Sequence, residues 1–415
     1  MRSVRVLVIG GGASGMMAAI MARRGGAGVL LLEKKNRLGK KILATGNGKC
    51  NFTNKLQKLE CYHSGQKDFP WSVIQKFNWE DSVEWFSEIG ILPKERDGYF
   101  YPASGQASSV LHAMERELLR LKAEIHTEEE ASDIRRQSKN GSNGFIVATN
   151  KGSYLAAKVV IATGGMACPV HGSTGDGYGF AAKFGHHLIT PIPALTSLVL
   201  DGNFKAWSGV RVQGKVSLYQ VSGKRCNLLA EDRGEIQMVS YGISGIPVFQ
   251  VSRYAARAIQ ERKRIVLYLD CMPDYNKEWV VTELLRRQER DGGQSMGDLL
   301  EGMLPDKLAG VLLKQSGIKV SILAREVAPE GLKVLAENIK KLRLDVKEAS
   351  GFEKAQVTAG GVCVDEVNQE TMESLCCPGL YLTGELLDVD GICGGYNLQW
   401  AWATGYLAGR DCGKA

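Results

Sequence analysis

The stretch Val4–Glu33, VRVLVIGGGASGMMAAIMARRGGAGVLLLE, decides the fold. Val4–Ile9 is a short apolar run of the kind that makes a strand buried on both faces. It meets Gly10-Gly11-Gly12-Ala13-Ser14-Gly15, a full GxGxxG. Met16–Arg24 is small and apolar with helical character. Val29–Leu32 is a second apolar run, and it ends on an acid, Glu33. Strand, glycine turn, helix, strand and acid stand in the order of a dinucleotide-binding βαβ unit. There Gly10 permits the tight turn, Gly12 lets a pyrophosphate approach the backbone, and Gly15 lets the helix pack close to the strand. The helix start offers N–H groups and partial positive charge to phosphates, and Glu33 is placed to accept from ribose hydroxyls. A glycine turn in another α/β protein would share part of this pattern. So would a signal peptide, since Arg2 and Arg5 precede an apolar stretch. Three consecutive glycines, and Arg23-Arg24 followed at once by a second strand, argue against that.

Outward from this stretch, 415 residues are enough for two or three domains. No window approaches the ~18 uninterrupted apolar residues of a membrane helix. The net charge of +7, from 52 basic and 45 acidic residues, is mild and spread out. No basic run with interleaved aromatics points to nucleic acid; a modest preference for anionic ligands is all the charge supports. The ten cysteines form no CxxC, the adjacent Cys376-Cys377 is a poor chelate, and the six histidines are scattered, so no metal site is expected. A reduced, cytoplasmic protein with buried thiols follows. Cys50 and Cys393 are the exceptions to watch, because they lie in glycine-rich motifs.

Lys34–Asn54 mixes glycines, lysines and asparagines, which suits a surface loop or, directly after a ribose acid, a ligand-lining one. Phe69–Ile91 reads as an amphipathic helical region, Tyr99–Pro102 as part of a hairpin or loop, and Gln106–Leu121 as a helix. Ala123–His126 and Gly144–Thr149 read as strands, with Gln137–Asn143 as a turn. Val159–Thr163, ending in Gly164-Gly165, returns the chain to the parallel sheet. Before the helix in Gly172–Gly185, Asp176 reads as an N-cap rather than a catalytic acid. From Pro191 short strands alternate with turns, among them Asp201-Gly202 and Asp232-Arg233-Gly234, as in an antiparallel sheet or small barrel. Helical runs at Val248–Gln260, Lys277–Arg290, Met296–Leu304, Asp306–Gln315 and Glu330–Lys341 add the texture of a cap domain. Glycine-rich sequence resumes at Gln356. A strand at Leu380–Thr383, an acidic glycine loop and a helix over Asn397–Gly409 then make the two ends of the chain close one site.

Five motifs, GGGASG, LGKKILATGNGKCNFTN, VVIATGG, TAGGV and TGELLDVDGICGGYNLQWAWATG, together resemble the bacterial flavoproteins grouped as BaiN-type reductases and aminoacetone oxidases. The likeness covers most of the chain and is weakest between Pro191 and Ser350. It implies an α/β fold with a two-piece, glutathione-reductase-like FAD-binding Rossmann domain, residues 1–191 and 351–415. A β-barrel with a small helical subdomain, residues 192–350, is inserted between the pieces. It implies that Gly10, Gly12 and Gly15 take the pyrophosphate and Glu33 the adenosine ribose, with Ala13, Ser14 and Lys34 also in the cofactor site. Lys40, Thr45, Gly46, Asn47, Gly48, Lys49, Cys50 and Asn51 would border the ribityl chain and flavin. Thr163, Gly164, Gly384, Glu385, Asp388 and Gly395 complete the cofactor set, and Asn397 and Leu398 open a helix whose positive end faces the flavin. The GSTGDGYGFAAKFG stretch is also similar to the TGDG segment of fumarate-reductase flavoproteins.

The same resemblance implies two activities. The favoured one is NAD(P)H-dependent reduction of a C=C conjugated to a ketone, as in a 3-oxo steroid or bile acid, by hydride from flavin N5. An acid then protonates the α-carbon, with Tyr396, His171 and Tyr178 as candidates in that order; each serves equally as packing or loop structure. The alternative is oxidation of a small amine such as aminoacetone, with oxygen as acceptor and peroxide as product. No second GxGxxG offers a separate module for NAD(P)H. A flavin-binding RNA-modification or regulatory protein is a third reading with little support from the charge. The expected partner is a small apolar molecule, with an anionic group compatible with the charge, and neither nucleic acid nor membrane.

Overall fold

In the computed structural model, which describes residues 1–139, 142–223 and 225–414, the opening stretch folds in the order its residues dictate. Arg2–Ile9 is strand β1, Ala13–Arg24 helix α1 and Val29–Glu33 strand β2. Glu124–Thr127 forms β3, Ala131–Lys139 β4, Ser142–Thr149 β5 and Gly152–Ile161 β6; Asp176–Lys183 forms helix α2. Late in the chain, Leu380–Leu382 is strand β7 and Tyr396–Cys412 helix α3. The sheet runs β3-β2-β1-β6-β5-β4, and β7 also pairs with β6. β3, β2, β1, β6 and β7 pair in parallel, while β5 and β4 join as an antiparallel flap. β6 shares one edge between two partners, with Gly152–Ala156 facing β5 and Val159–Ile161 facing β7. Val6, Leu7 and Val8 are fully buried, as a central parallel strand covered on both faces requires.

α1 and α3 pack through small residues. A Cβ on Gly405 would lie 2.4 Å from the Ser14 carbonyl oxygen, one on Gly409 2.4 Å from that of Ala18, and one on Gly413 2.7 Å from the Ala22 Cα. These glycines recur every fourth residue and face Ser14, Ala18 and Ala22 at the same spacing, so one row of each helix lies against the other. Gln399 ties α3 to earlier segments: its Oε1 accepts from Thr53 Oγ1 (2.6 Å) and Ser82 Oγ (2.8 Å), and its Nε2 donates to the Phe77 carbonyl (2.7 Å).

Contacts divide the chain into a unit of residues 1–192 and 356–415 and a second of residues 193–355. The second is a closed barrel of six strands, Leu198–Leu200, Gly242–Ser244, Arg225–Val239, Arg211–Ser222, Arg264–Asp270 and Leu342–Ala349 in spatial order. Its helices include Ile246–Gln260, Lys277–Asp291, Asp306–Gln315 and Pro329–Lys340.

Several expectations need correcting. Asp232-Arg233-Gly234 is not a turn: it lies inside the strand Arg225–Val239, where Gly234 (φ 157°) is close to extended and cross-strand pairing overrides the local turn preference. Short strands expected at Gly209–Val212 and Lys215–Val221 are one strand, Arg211–Ser222, with Gly214 inside it. Phe69–Ile91 splits into helices Asp68–Ile74 and Trp79–Glu88, the second started by an Asn78–Asp81 capping box. The helix expected over Met296–Leu304 stops at Leu299. Part of Lys34–Asn54 is helical, over Lys40–Ala44. Asp176 is the first residue of α2, with Gly175 as its N-cap. Of the Gln137–Asn143 turn, residues 140–141 lie outside the described residues, and β4 and β5 flank them.

Candidate functional site

The carboxyl ends of the parallel strands converge on one cleft, the place where open α/β sheets bind ligands. It holds about 1160 Å³ of open space. The end of β1 brings Gly10, Gly12, Ala13 and Ser14; that of β2 brings Glu33 and Lys34; that of β6 brings Thr163 and Gly164. Lys40, Thr45, His171, Glu385, Asn397 and Leu398 also line it.

The three motif glycines differ in what surrounds them. A Cβ on Gly10 (φ 106°) would meet the Ala162 carbonyl oxygen at 2.4 Å, and one on Gly15 the Gly10 carbonyl oxygen at 1.9 Å. Both are packing requirements. A Cβ on Gly12 would meet nothing within 4 Å, so the missing side chain there leaves room in the cleft. α1 and α3 both begin without a side-chain cap, and their first-turn N–H groups lack the partner such a cap supplies. Thr163 Oγ1 and Asn51 Oδ1 are buried with no hydrogen-bond partner, the first of them packed against Gly177 of α2. Open room at Gly12 and two uncapped helix starts together fit a phosphate-bearing dinucleotide.

Glu33 is held in place from below. Its Oε2 accepts from Gly11 N (2.9 Å) and its Oε1 from Lys35 N (2.8 Å), which leaves lone pairs on both oxygens for further donors. Glu385 is a junction: its Oε2 pairs with Lys41 Nζ (2.6 Å) and its Oε1 accepts from Thr358 N (2.8 Å). Thr358 Oγ1 in turn accepts from Met166 N (2.8 Å) and Ala167 N (3.0 Å). Segments from both pieces of the unit are thereby fixed around the cleft. Asn397 closes the loop before α3 on itself, its Oδ1 accepting from Gly391 N and its Nδ2 donating to Gly391 O, both at 2.8 Å.

Other expected site residues stand behind the lining. Gly384 (φ 69°) abuts Ser14 and Gly395 (φ 95°) abuts Asn51 and Thr53. Asp388 Oδ2 accepts from Gly65 N at 3.0 Å. Gly46, Asn47, Gly48 and Lys49 are exposed, and Gly46, Asn47, Gly48 and Cys50 all take the left-handed conformation. Cys50 is fully buried, and that burial pushes its thiol up to about 12, the value of an inert structural cysteine.

The three proton-donor candidates are not brought together. Tyr396 is 5% exposed and its hydroxyl donates to the Leu56 carbonyl (2.8 Å); burial raises its pKa. Tyr178 is buried outside the cleft lining, its hydroxyl has no partner, and burial foremost, then the charges of Glu385 and Asp388, raise its pKa. His171 lines the cleft, but its neighbour Gly172 sits against Lys35 and Lys34, so it belongs to the end that Glu33 marks.

The loop after β3 belongs to the site although no sequence motif marks it. Glu129, Glu130 and Ala131 line the cleft, and Glu129 N donates to the Glu33 carbonyl (3.0 Å). The Glu129 side chain is 2% exposed and accepts from Thr149 Oγ1 (2.7 Å) and Tyr154 OH (2.8 Å), with His126 Nδ1 2.9 Å away. Burial pushes its carboxyl up, but these hydrogen bonds outweigh that and hold it below the usual range. Had the Ala123–His126 strand been known to be parallel, the strand-end rule would have found this loop. Arg37, Lys41, Ser173, Gln356 and Val357 also line the cleft.

The chain thus builds a Rossmann-type dinucleotide-binding domain from two pieces, with a barrel inserted in sequence between them. The family described as HI0933-like protein Rossmann domain matches residues 4–411, and the chain belongs to it. It is 43% identical over 409 residues to the 3-dehydro-bile acid delta(4,6)-reductase of Clostridium scindens, covering 98% of each chain. It is 29% identical over 405 residues to the ribosomal RNA dihydrouridine synthase of Haemophilus influenzae, covering 96% of each. Its fold matches that of the 3-ketosteroid delta1-dehydrogenase of Sterolibacterium denitrificans with a TM-score of 0.52, at 12% identity and full coverage of both chains. Among the described residues, no helix is long and apolar enough to cross a membrane.

Proposed function

We propose that this chain is an FAD-dependent reductase of a C=C conjugated to a ketone, acting on a 3-oxo steroid or bile-acid-type small molecule with NAD(P)H as electron donor. The observation that carries this reading is the 43% identity, over 98% of both chains, with a 3-dehydro-bile acid delta(4,6)-reductase. The dihydrouridine synthase relative fits the same reaction class, since dihydrouridine differs from uridine by saturation of a C=C conjugated to a carbonyl. FAD supplies hydride transfer to and from its ring. The chain's residues bind and orient it: Gly12 and the start of α1 at the pyrophosphate, Glu33 at the adenosine ribose, and the uncapped start of α3 toward the ring. A helix start there favours negative charge on the group it faces. None of Tyr396, His171 or Tyr178 is retained as proton donor: Tyr396 is committed to Leu56, His171 stands at the Glu33 end, and Tyr178 is off the lining.

The purified protein should be yellow. Under anaerobic conditions NADH or NADPH should bleach it, and a 3-oxo-4,6-diene bile acid should restore the colour as the dienone absorbance falls. Bleaching by aminoacetone instead, with peroxide on re-aeration, would replace this reading with the amine oxidase. A colourless protein that takes up no FAD would end both.

A further inference from the structure

We propose that Lys34, Thr174 and Asp176 form a clasp across the cleft at its Glu33 end, and that opening this clasp sets the rate at which the cofactor leaves. The inference rests on the FAD reading above. Residues 165–175 make a loop whose ends meet, Gly175 N donating to the Gly165 carbonyl at 3.1 Å. Its root is pinned to Thr358 by Met166 N and Ala167 N. Its tip is Pro169–His171, with Val170 72% exposed. The backbone reverses at Cys168 (φ 55°) and Gly172 (φ 108°), and a Cβ on Gly172 would come 3.4 Å from Lys35 Cγ. The loop therefore folds down onto the residues that follow the ribose-binding acid.

What ties it there is Lys34. Its ammonium bonds both Thr174 Oγ1 and Asp176 Oδ2, and Thr174 Oγ1 donates to Asp176 Oδ1 at 2.8 Å, closing a triangle. Lys34 follows β2 and Asp176 follows β6, the two strands that flank β1 in the sheet, and both line the cleft together with His171. The side chains of Lys34 and Asp176 are only 19% and 34% exposed, so water screens the pair less than it would at an open surface. In this proposal a molecule lying along Glu33 leaves through this end only when the contact of the ammonium with Thr174 and Asp176 opens.

The test uses holoprotein and follows the flavin fluorescence that returns as FAD dissociates after dilution. Lys34→Met and Asp176→Asn should each speed release about fivefold, which corresponds to ~1 kcal/mol. The double variant should release no faster than either single one, because both remove the same tie. The charge swap Lys34→Glu with Asp176→Lys should restore slow release. Added salt should speed the unmodified protein and leave the double variant unmoved. Singles within about twofold of the unmodified rate, or single effects that multiply in the double variant, would overturn the clasp. FAD uptake with unchanged release sinks the clasp alone; no uptake at all sinks both the clasp and the FAD reading.

Discussion

At the scale of the residue, Glu33 shows how one side chain serves fold and site together. Its two oxygens each accept a backbone N–H, from Gly11 and from Lys35, so the acid that faces the cleft also shapes the glycine turn. Glu33→Ala should lower affinity for FAD at least about tenfold, since hydrogen bonds to a charged group are worth ~1.5–3 kcal/mol. Glu33→Gln should lie between. Fluorescence titration of the apoprotein measures both, and equal dissociation constants would remove Glu33 from the cofactor site. Glu33 and the three glycines were legible in sequence because local spacing alone defines them. Glu129 was not, because its place beside Glu33 depends on which strand pairs with β2. Nor was the commitment of Tyr396, whose partner Leu56 lies 340 positions away.

At the scale of the element, the α1–α3 contact turns on the absence of side chains. Gly409→Ala places a Cβ within 2.4 Å of the Ala18 carbonyl oxygen, an overpacking that should cost about 1–3 kcal/mol. Gly310, inside the helix Asp306–Gln315, has nothing within 4 Å of the same atom. Gly310→Ala should stabilise by about 0.5–1 kcal/mol through the unfolded chain. Urea unfolding of the two variants should move in opposite directions, and a destabilising Gly310→Ala would contradict the open space around it. The helices and parallel strands of the first unit announce themselves by apolar runs and the glycine turns between them. The barrel strands do so less well: Gly214 and Asp232–Gly234 carry turn residues inside strands, and only pairing across the barrel overrules them.

At the scale of the whole molecule, depressed carboxyls occur in both units. Lys183 and Arg135 hold the Asp133 carboxyl at about 2, and Arg286 and Arg287 hold Glu283 at about 2. Both groups titrate lower when folded than the ordinary carboxylate value near 4. Their contribution to stability is thus complete above about pH 5 and disappears as the pH falls from there toward 2. The urea midpoint should be lower near pH 3 than near pH 6; equal midpoints would show that these ion pairs do not form.

The lock between the first helix and the last also constrains the order of events during synthesis. β1, α1, β2 and β6 emerge from the ribosome long before β7 and α3, yet α1 has its glycine-lined partner only in α3. Until residues 396–412 are made, the small-residue row Ser14, Ala18 and Ala22 stays uncovered, and the loop bearing Glu385 lacks Thr404, which accepts from Gly384 N, and Trp400, which donates to the Gly384 carbonyl. The cofactor cleft is therefore completed only once residues 396–412 have been translated. A nascent chain stalled before residue 396 should neither hold flavin nor resist protease in its first 160 residues, however well its glycine motif is formed.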